Sequence, residues 1–385
     1  MSEVSIRVAG VGVEPFTKRS ERPIAAMGVN AVVEALKDSV IDRERVDALF
    51  VGHVFGGSLL GQQVAKDVGL DGLPIFNHEN ACASGGFALA HAVMALRAGL
   101  YSTVVVLGIE KLSALGGGLL PVGQDDPEIL AGLTMPASYA LRAASYFDRF
   151  GGSPEDLANV AVKSRQRAVG NPLAMFRKET TLEDVMDART IAGAITLFQM
   201  SPNADGAAAV LLTTAPDVGD SSRPPVHITA SQVASGRFYQ GERDLTWPDI
   251  TLRAAQAAYA EAQIEPGQVD VAEVHDAATV GEVIYYEALG FCERGAGLDL
   301  VRQMLHEPDN APVQVNAGGG LLSRGHPLGA TGVAQVSELT RQLEGRAWGL
   351  QVPDATVAVS HCTGGGVWGM DNGAASVHIL TTGTG

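Results

Sequence analysis

Strand-like and helix-like segments alternate along the first 115 residues of this chain, and this alternation limits the folds that it can adopt. Apolar residues at strand or helix spacing predict strands at 4–13, 46–52, 73–77 and 102–108, and helices at 24–40, 61–68 and 82–98. The segment 102–108 is rich in β-branched residues on both faces, as expected of a central strand that is covered on both sides. The pattern therefore predicts an α/β fold.

The alternation begins again after a proline-rich joint at 221–225. It predicts strands at 226–233, 269–274, 313–316, 356–360 and 375–380, and helices at 252–262, 280–289 and 329–343. Each half places a strand, a glycine-rich turn and a helix of small residues at the matching point, around 82–86 in one half and 326–332 in the other. The sequence thus predicts an internal duplication with the reactive groups gathered between the two halves.

The stretch 116–190 interrupts this pattern, because it is more polar and contains a glycine run and several prolines. Ser153 followed by Pro154 is typical of the start of a helix. We interpret the stretch as an inserted loop domain, a lid between two strands of one sheet, with the returning strand at 205–214. The predicted units are an N-terminal half at 1–115 plus 191–220, the inserted loop domain at 116–190, and a C-terminal half at 221–385.

Composition excludes several classes of function. The formal net charge of −16 argues against a nucleic-acid partner. Three cysteines without a Cys-x-x-Cys pair indicate neither a disulfide framework nor a structural metal site, and they favour a reducing compartment. The chain shows no signal peptide, no membrane-spanning run and no targeting tripeptide, so we expect a cytoplasmic protein without a membrane partner.

Positive charge is nevertheless concentrated within 142–178. The basic residues there are Arg142, Arg149, Lys163, Arg165, Arg167, Arg177 and Lys178. Either they form solvated helix faces, or some of them serve an anionic small ligand, because local charge can oppose the average charge of the chain.

Cys82 follows a predicted strand and opens a predicted helix, among small residues. At a helix N-terminus, unpaired backbone N–H groups and the helix dipole favour a thiolate and can hold an oxyanion. The alternative is ordinary packing, because free cysteine is among the most buried residue types.

Three more segments place polar or sulfur groups in turns after predicted strands, where α/β folds carry their chemistry. They contain His275, His326 and Cys362. A lone histidine after a strand is often structural, but thiol, imidazole and second thiol together match a nucleophile, a base and a proton donor for acyl transfer. We assign His361 and Cys292 to structural roles, His361 because strand neighbours point to opposite faces.

At these four segments together the chain resembles the thiolase superfamily, and most of all its sterol-carrier-protein-type and archaeal-type acetyl-CoA C-acyltransferases. The octet GHPLGATG at 325–332 is highly specific, and so is the pairing of CASG at 82–85 with CTG at 362–364. Supporting runs lie at 108–111, 203–208 and 286–292. The resemblance covers nearly the whole chain and implies a duplicated, layered α-β-α-β-α fold.

The resemblance also implies roles for the site residues. Cys82 takes the acyl group as a thioester, and His326 activates Cys82 and helps hold the substrate thioester oxygen. Cys362 handles the proton at the α-carbon of acetyl-CoA, and His275 helps build an oxyanion site. The backbone N–H groups of Cys82 and Gly364 form the second oxyanion hole. Both thiols then need their pKa lowered by the dipole and the imidazole.

The implied reaction is thiolytic cleavage of a 3-ketoacyl-CoA, or the reverse Claisen condensation. Acyl-CoA and CoA are substrates, no cofactor or metal is expected, and a homodimer or tetramer is implied. The sequence departs from the family pattern at 275–278, which reads HDAA, so that an aromatic residue is missing at Ala278 and the pocket there is expected to be wider.

Two alternatives stay open. One is a thiolase-like retro-aldolase that cleaves a hydroxyacyl-CoA without a thiolate nucleophile. The other is a non-catalytic or scaffold subunit that depends on a companion, such as a small protein with an OB-fold and zinc. Retention of Cys82, His326 and Cys362 argues against loss of the site but leaves dependence on a partner open.

Overall fold

The computed structural model describes residues 4–70, 72–121, 125–216, 222–239, 242–366 and 372–383. Ser221 of the predicted joint and the outermost residues of both termini lie outside these ranges. The strands are β1 Arg7–Thr17, β2 Ala48–Gly52, β3 Ile75–His78, β4 Thr103–Lys111, β5 Thr190–Ala192, β6 Ile195–Thr196, β7 Asp205–Thr213, β8 Val226–Ser235, β9 Val271–Glu273, β10 Gln314–Val315, β11 Val357–Gly364 and β12 Ala374–Thr382. The α-helices are α1 Ile24–Ser39, α2 Leu60–Val68, α3 Ser84–Arg97, α4 Pro127–Leu130, α5 Met135–Phe150, α6 Pro154–Ala168, α7 Leu182–Asp187, α8 Asp249–Ala262, α9 Thr279–Ala288, α10 Gly297–His306, α11 Gly320–Arg324 and α12 Leu328–Leu343.

The strand order shows the predicted duplication. In the described residues the main sheet runs β10-β9-β11-β12-β8-β1-β7-β4-β2-β3. Read outward from the β8–β1 junction, each half gives two antiparallel pairings followed by two parallel ones: β1-β7-β4-β2-β3 in the first half and β8-β12-β11-β9-β10 in the second. The halves join through a short β1–β8 pairing at Arg7–His227 and Val8–Val226.

The apolar side chains arrange these strands and helices in five layers. On β4, Val104 and Val106 face a cluster that contains residues of α3 and α12, whereas Val105 faces the cluster around α1 and α2. The second half repeats this alternation on β11, where Ala358 faces the α3–α12 cluster and Val359 faces α8 and α9. Helices α3 and α12 are therefore the middle layer, and the predicted α-β-α-β-α arrangement is confirmed.

Glycines let the two middle-layer helices approach each other at their N-terminal ends. A Cβ atom on Gly85 would lie 2.5 Å from the carbonyl oxygen of Gly329, and one on Gly332 would lie 2.7 Å from the amide nitrogen of Gly86. Such distances are below van der Waals contact, so no larger residue fits without displacement of backbone. The close approach brings the turn that precedes α3 next to the turn that precedes α12.

The elements between β4 and β7 include the small β5–β6 sheet and helices α4 to α7. Helix α6 begins as predicted, because Ser153 accepts a hydrogen bond from the backbone of Asp156 and the Asp156 side chain accepts one from the backbone of Ser153. Ser164 on α6 donates to the carbonyl of Gly319, and Asn171 donates to that of Gly318 at 2.9 Å. These bonds attach the insertion to the segment that leads into α12.

Most of the basic stretch is buried, so the interpretation as solvated helix faces was wrong for Arg142, Lys163, Arg165 and Arg167. Lys163 forms a buried ion pair with Glu282 of α9. Arg142, Lys163 and Arg167 cross from the insertion to the C-terminal half, where a carboxylate and backbone carbonyls bind them. Arg165 instead lies over the rings of Phe176 and Phe198.

The remaining basic residues of the stretch are exposed. Arg149 pairs with Asp244, and Arg177 and Lys178 extend into solvent. Helices α10 and α11 were not predicted; α11 has only five residues and starts within a glycine run. Among the described residues, none of the helices has the length and apolarity that a membrane span requires.

Candidate active site

Cys82 lies in a tight turn between β3 and α3 rather than on the helix itself. The prediction that the helix begins at Cys82 was wrong by two residues, because Ala83 is the N-cap and α3 starts at Ser84. Ala81 holds the left-handed conformation, with φ 49°, which is uncommon for a residue with a Cβ atom. The Ser84 hydroxyl secures the turn, since it accepts from the Asn80 amide at 2.9 Å and donates to the Ala81 carbonyl at 2.6 Å.

His326 lies in the equivalent turn of the second half, before α12, and its amide donates to the carbonyl of Pro202 at 3.0 Å. Its Nδ1 is 2.7 Å from the Thr331 hydroxyl, which itself donates to the Pro327 carbonyl at 3.0 Å. Because the hydroxyl proton is used there, we assign the imidazole proton to Nδ1. Nε2, which is buried and has no protein hydrogen-bond partner, is then the basic nitrogen.

His275 and Cys362 complete the group. The Cys362 sulfur donates to the Cys82 carbonyl at 3.1 Å and lies 3.3 Å from His275 Nδ1. The His275 and His326 rings meet edge to face with centroids 5.1 Å apart. One side-chain atom from each of Cys82, His275 and His326 lies within 4.8 Å of the others. The structure therefore brings together all four side chains that the sequence singled out.

Cys362 lies on β11 and not in a turn after it, as we had predicted, because the strand continues to Gly364. Strand alternation then directs its neighbour away from the site: His361 Nε2 is 3.0 Å from the Thr251 hydroxyl on α8, and its ring packs against Tyr285. Cys292 is half-buried against the apolar cluster of α8 and α9. Both observations agree with the structural roles assigned to these two residues.

The end of β11 presses against the Cys82 turn. A Cβ atom on Gly364 would lie 2.1 Å from the carbonyl oxygen of Asn80, so only glycine fits there. The next residue, Gly365, donates its backbone N–H to the Cys82 sulfur. The family motif indicates Gly364 as an oxyanion donor and gives no sign of this contact of Gly365, because a glycine run does not reveal which amide faces the sulfur.

Burial dominates the protonation of the site. It raises the pKa of the Cys82 thiol to about 12. The nearby carboxylates of Glu110 and Glu79 also raise this pKa, whereas the Gly365 hydrogen bond lowers it. Burial also raises the pKa of Cys362 well above its usual value. Our prediction that dipole and imidazole lower both thiol pKa values was wrong for the free protein, because desolvation disfavours the thiolates more than these groups favour them.

The imidazoles are neutral as well. Burial lowers the pKa of His275 to about 3, and burial, His275 and Arg324 together lower that of His326 well below the usual histidine value. The resting pair of Cys82 and His326 is therefore a neutral thiol beside a neutral base. Such a pair can pass the sulfur's proton to the imidazole at the moment the sulfur acts as a nucleophile.

Buried carboxylates hold the loops that carry these side chains. Asp276 accepts from the amides of Leu321 and Leu322 at 2.7 and 3.1 Å, which fixes the segment after β9 to α11. Glu273 pairs with Arg324 at 3.0 Å, two residues before His326.

Glu110, at the end of β4, accepts from the amides of Val54, Phe55 and Gly329 at 2.9, 3.0 and 3.2 Å. It thus links the N-terminal half to the start of α12. In the sequence, Glu110 stands out only as part of a supporting run, and nothing indicates supporting roles for Asp276 and Thr331. Their partners are backbone amides or a ring nitrogen, which only tertiary contacts bring close.

One buried thiol and two neutral imidazoles surround a partly exposed cysteine between the halves of a duplicated α/β fold, and this is the arrangement expected of an enzyme that transfers acyl groups. The comparisons with known proteins agree with this class. The model of the thiolase N-terminal domain matches residues 8–192, and that of the thiolase C-terminal domain matches residues 231–381. The chain belongs to the thiolase family and is an acyltransferase of that family.

Among its relatives, the benzoylsuccinyl-CoA thiolase subunit BbsB of Thauera aromatica is 38% identical over 94% of this chain and 96% of its own length. The acetyl-CoA acetyltransferase of Methanothermobacter thermautotrophicus is 34% identical over 98% of this chain and 99% of its own length. Of the solved structures, an Ltp2-ChsH2(DUF35) aldolase matches with a TM-score of 0.84 and 25% identity, over 99% of this chain and 98% of that chain. The human mitochondrial 3-ketoacyl-CoA thiolase has the same fold, with a TM-score of 0.71 over 99% of both chains.

Proposed function

We propose that this thiolase cleaves a 3-ketoacyl-CoA with CoA, or forms it by the reverse Claisen condensation, through an acyl thioester on Cys82. The observation that carries the proposal is the convergence of Cys82, His275, His326 and Cys362, with His326 Nε2 left as a free base. An acyl group can pass between sulfur nucleophiles of similar leaving ability without ATP or metal, so we propose no cofactor beyond CoA.

In the cleavage direction, the Cys82 sulfur attacks the keto carbon while its proton passes to His326 Nε2. The bond between the α-carbon and the keto carbon then breaks, and its electron pair forms the enolate of acetyl-CoA. Cys362 gives its proton to that α-carbon and leaves a thiolate. The CoA thiol gives its proton to the Cys362 thiolate and attacks the Cys82 thioester, which releases the shortened acyl-CoA. The Cys82 sulfur then recovers its proton from His326, and all four side chains are restored.

Hydrogen-bond donors are needed where negative charge develops on the two substrate oxygens. We propose His275 and His326 around the thioester oxygen, and the backbone amides of Cys82 and Gly364 around the keto oxygen. The contact of Gly364 with the Cys82 turn supports the second pair, since it holds the two segments at fixed separation. The Gly365 amide, which already donates to the sulfur, would stabilise the Cys82 thiolate when it leaves the acyl group.

Mass spectrometry of the protein after mixing with a 3-ketoacyl-CoA tests the proposal. We expect one added acyl group on the peptide that contains Cys82, lost again when CoA is supplied. The Cys82→Ala variant should carry no adduct, whereas Cys292→Ala, which removes a thiol outside the site, should carry it as the wild type does. An acyl adduct that persists in Cys82→Ala would overturn the assignment.

Retro-aldol cleavage of a 3-hydroxyacyl-CoA is the second candidate, because the fold matches that of an Ltp2-ChsH2(DUF35) aldolase closely. That reaction needs no acyl-enzyme and no free CoA. Supplying a 3-hydroxyacyl-CoA and a 3-ketoacyl-CoA in parallel, with and without CoA, separates the two. Turnover of the hydroxy substrate that survives in Cys82→Ala would favour the aldolase.

A companion protein is part of the proposal for assembly. One relative is named as a subunit and one structural neighbour as a complex of two proteins. We propose that the chain depends on a small companion protein with an OB-fold and zinc. If the isolated chain is inactive, we expect the cause to be the absence of this companion rather than loss of the site. Turnover measured with the isolated chain and with material purified from the native source tests this dependence.

We also propose that the chain forms a homodimer or tetramer. Strand β3 is one edge of the main sheet in the described residues, and an edge strand can pair with another chain. Light scattering of the purified protein measures the state directly, and a monomer at working concentration would contradict the proposal.

A further inference from the structure

The side chains of Cys82, His275 and His326 have the composition of a metal site as well as that of a catalytic site. One ligand atom from each lies within 4.8 Å of the other two. A cysteine sulfur and two imidazole nitrogens form a donor set that Zn²⁺ and Co²⁺ favour over Mg²⁺ or Ca²⁺, which prefer oxygen. From this geometry we propose that the site binds one thiophilic divalent cation, typified by Zn²⁺, which blocks acyl transfer.

The distances allow such a complex after a small adjustment. Tetrahedral bonds of about 2.3 Å to sulfur and about 2.0 Å to nitrogen place sulfur and nitrogen roughly 3.5 Å apart and two nitrogens roughly 3.3 Å apart. Separations of up to 4.8 Å therefore have to contract by up to about 1.5 Å. Side-chain rotation supplies this, and Cys82 retains partial solvent exposure through which an ion can enter.

The surroundings orient the imidazoles as ligands. Metal-bound histidines are usually fixed through the ring nitrogen that does not bind metal. Thr331 holds His326 at Nδ1, which leaves the buried and unpartnered Nε2 directed into the site. Cys362 contacts His275 at Nδ1. The three protein ligands leave the fourth position to water or to an incoming thiol.

The charges around the site act in both directions. The carboxylates of Glu110 and Glu79 favour a cation at the Cys82 sulfur, whereas Arg324, although paired with Glu273, disfavours one at His326. A bound Zn²⁺ would hold both the nucleophile and its base, so metal binding and acylation exclude each other. This consequence rests on the proposed function, whereas the binding itself does not.

Cobalt titration of the chelator-treated protein tests the binding without any measurement of activity. We expect one equivalent of Co²⁺ to give a thiolate-to-cobalt charge-transfer band, and Zn²⁺ to abolish it. Cys82→Ala should remove the band, and His275→Asn and His326→Asn should weaken cobalt affinity by about 100-fold. The matched controls are Cys292→Ala and His306→Asn, which change a thiol and an exposed histidine outside the site and should titrate as the wild type does.

Alkylation of Cys82 with iodoacetamide in the wild type should also prevent the band. This control uses the unmutated protein, so its outcome does not depend on whether the variants fold. The proposal is overturned if protein with a freely alkylatable Cys82 gives no band, if the band survives in Cys82→Ala, or if it is lost in Cys292→Ala. The two proposals fail separately. A cobalt band without any acyl-enzyme would refute the acyl-transfer function alone, and an active enzyme without the band would refute the metal site alone.

Discussion

The hydroxyl of Thr331 offers a direct test of how His326 becomes a base. It accepts from His326 Nδ1 at 2.7 Å and donates to the Pro327 carbonyl at 3.0 Å, so it fixes the proton on Nδ1 and keeps Nε2 free. Thr331→Val keeps the shape of the side chain but removes both bonds. We expect acylation of Cys82 to slow by about 10- to 100-fold, because the imidazole then also populates the tautomer that carries its proton on Nε2.

The magnitude follows from the burial of the ring. An unsatisfied buried N–H costs about 1–3 kcal/mol, and each 1.4 kcal/mol is about a factor of ten in rate. Thr340→Val is the matched control, because Thr340 lies buried on the same helix and donates to the carbonyl four residues earlier, Val336, at 2.8 Å. Each variant loses one hydrogen bond from the threonine hydroxyl to a backbone carbonyl, which contributes about 1 kcal/mol to the free energy of unfolding. Only Thr331→Val also removes the hydrogen bond to His326.

Single-turnover acylation, followed as release of acetyl-CoA from a 3-ketoacyl-CoA in a quench experiment, should separate the two variants. Denaturant unfolding should show similar destabilisation for both. Thr331→Ser should restore most of the rate, because it returns the hydroxyl. The reasoning is refuted if Thr331→Val acylates at the wild-type rate, or if Thr340→Val is slowed as much.

Three further predictions follow from the site. Alkylation of Cys82 by iodoacetamide should accelerate about tenfold per pH unit from pH 7 to 9, because burial raises the thiol pKa to about 12 and the thiolate fraction still rises throughout that pH range. A plateau below pH 8 would show a preformed thiolate. Replacing the exposed Arg177 and Lys178 by Ala should raise the KM for CoA by about 10-fold with kcat nearly unchanged, since both side chains of the basic stretch 142–178 extend into solvent and can bind the CoA phosphates. A change confined to kcat would contradict this. Gly364→Ala should abolish acyl-enzyme formation or expression of folded protein, because its Cβ would meet a carbonyl oxygen at 2.1 Å; a variant with wild-type thermal stability and rate would show that β11 does not press on the turn.

Much of the fold followed from local pattern. The helix signal at 24–40 corresponds to α1 at Ile24–Ser39, and the Ser-Pro signal at 153–154 marks the start of α6. Strand boundaries were less accurate. Strand β11 extends through Cys362 to Gly364, because pairing with β12 provides hydrogen bonds there that residue preferences do not reveal.

The pattern of charged residues was a poor guide to exposure. Lys163 and Arg167 sit on a helix whose sequence reads as polar, yet both are buried, because partners from the C-terminal half neutralise or bind them. Such partners are more than a hundred residues away along the chain, so no window of sequence contains the compensating group. Asp276 also depends on distant partners, the backbone amides of Leu321 and Leu322, which lie 45 and 46 residues further along the chain.

Residue type and local periodicity were enough to predict the candidate chemical groups and the duplicated order of strands and helices, because both are local properties of the chain. The meeting of Cys82, His275, His326 and Cys362 in one site, the fixing of the histidine proton by Thr331, and the neutral resting state of both thiols depend on contacts between distant segments. Those properties arise from the approach of α3 and α12 at their glycines and from the loss of water around the sulfurs, and both require the two halves to be packed together.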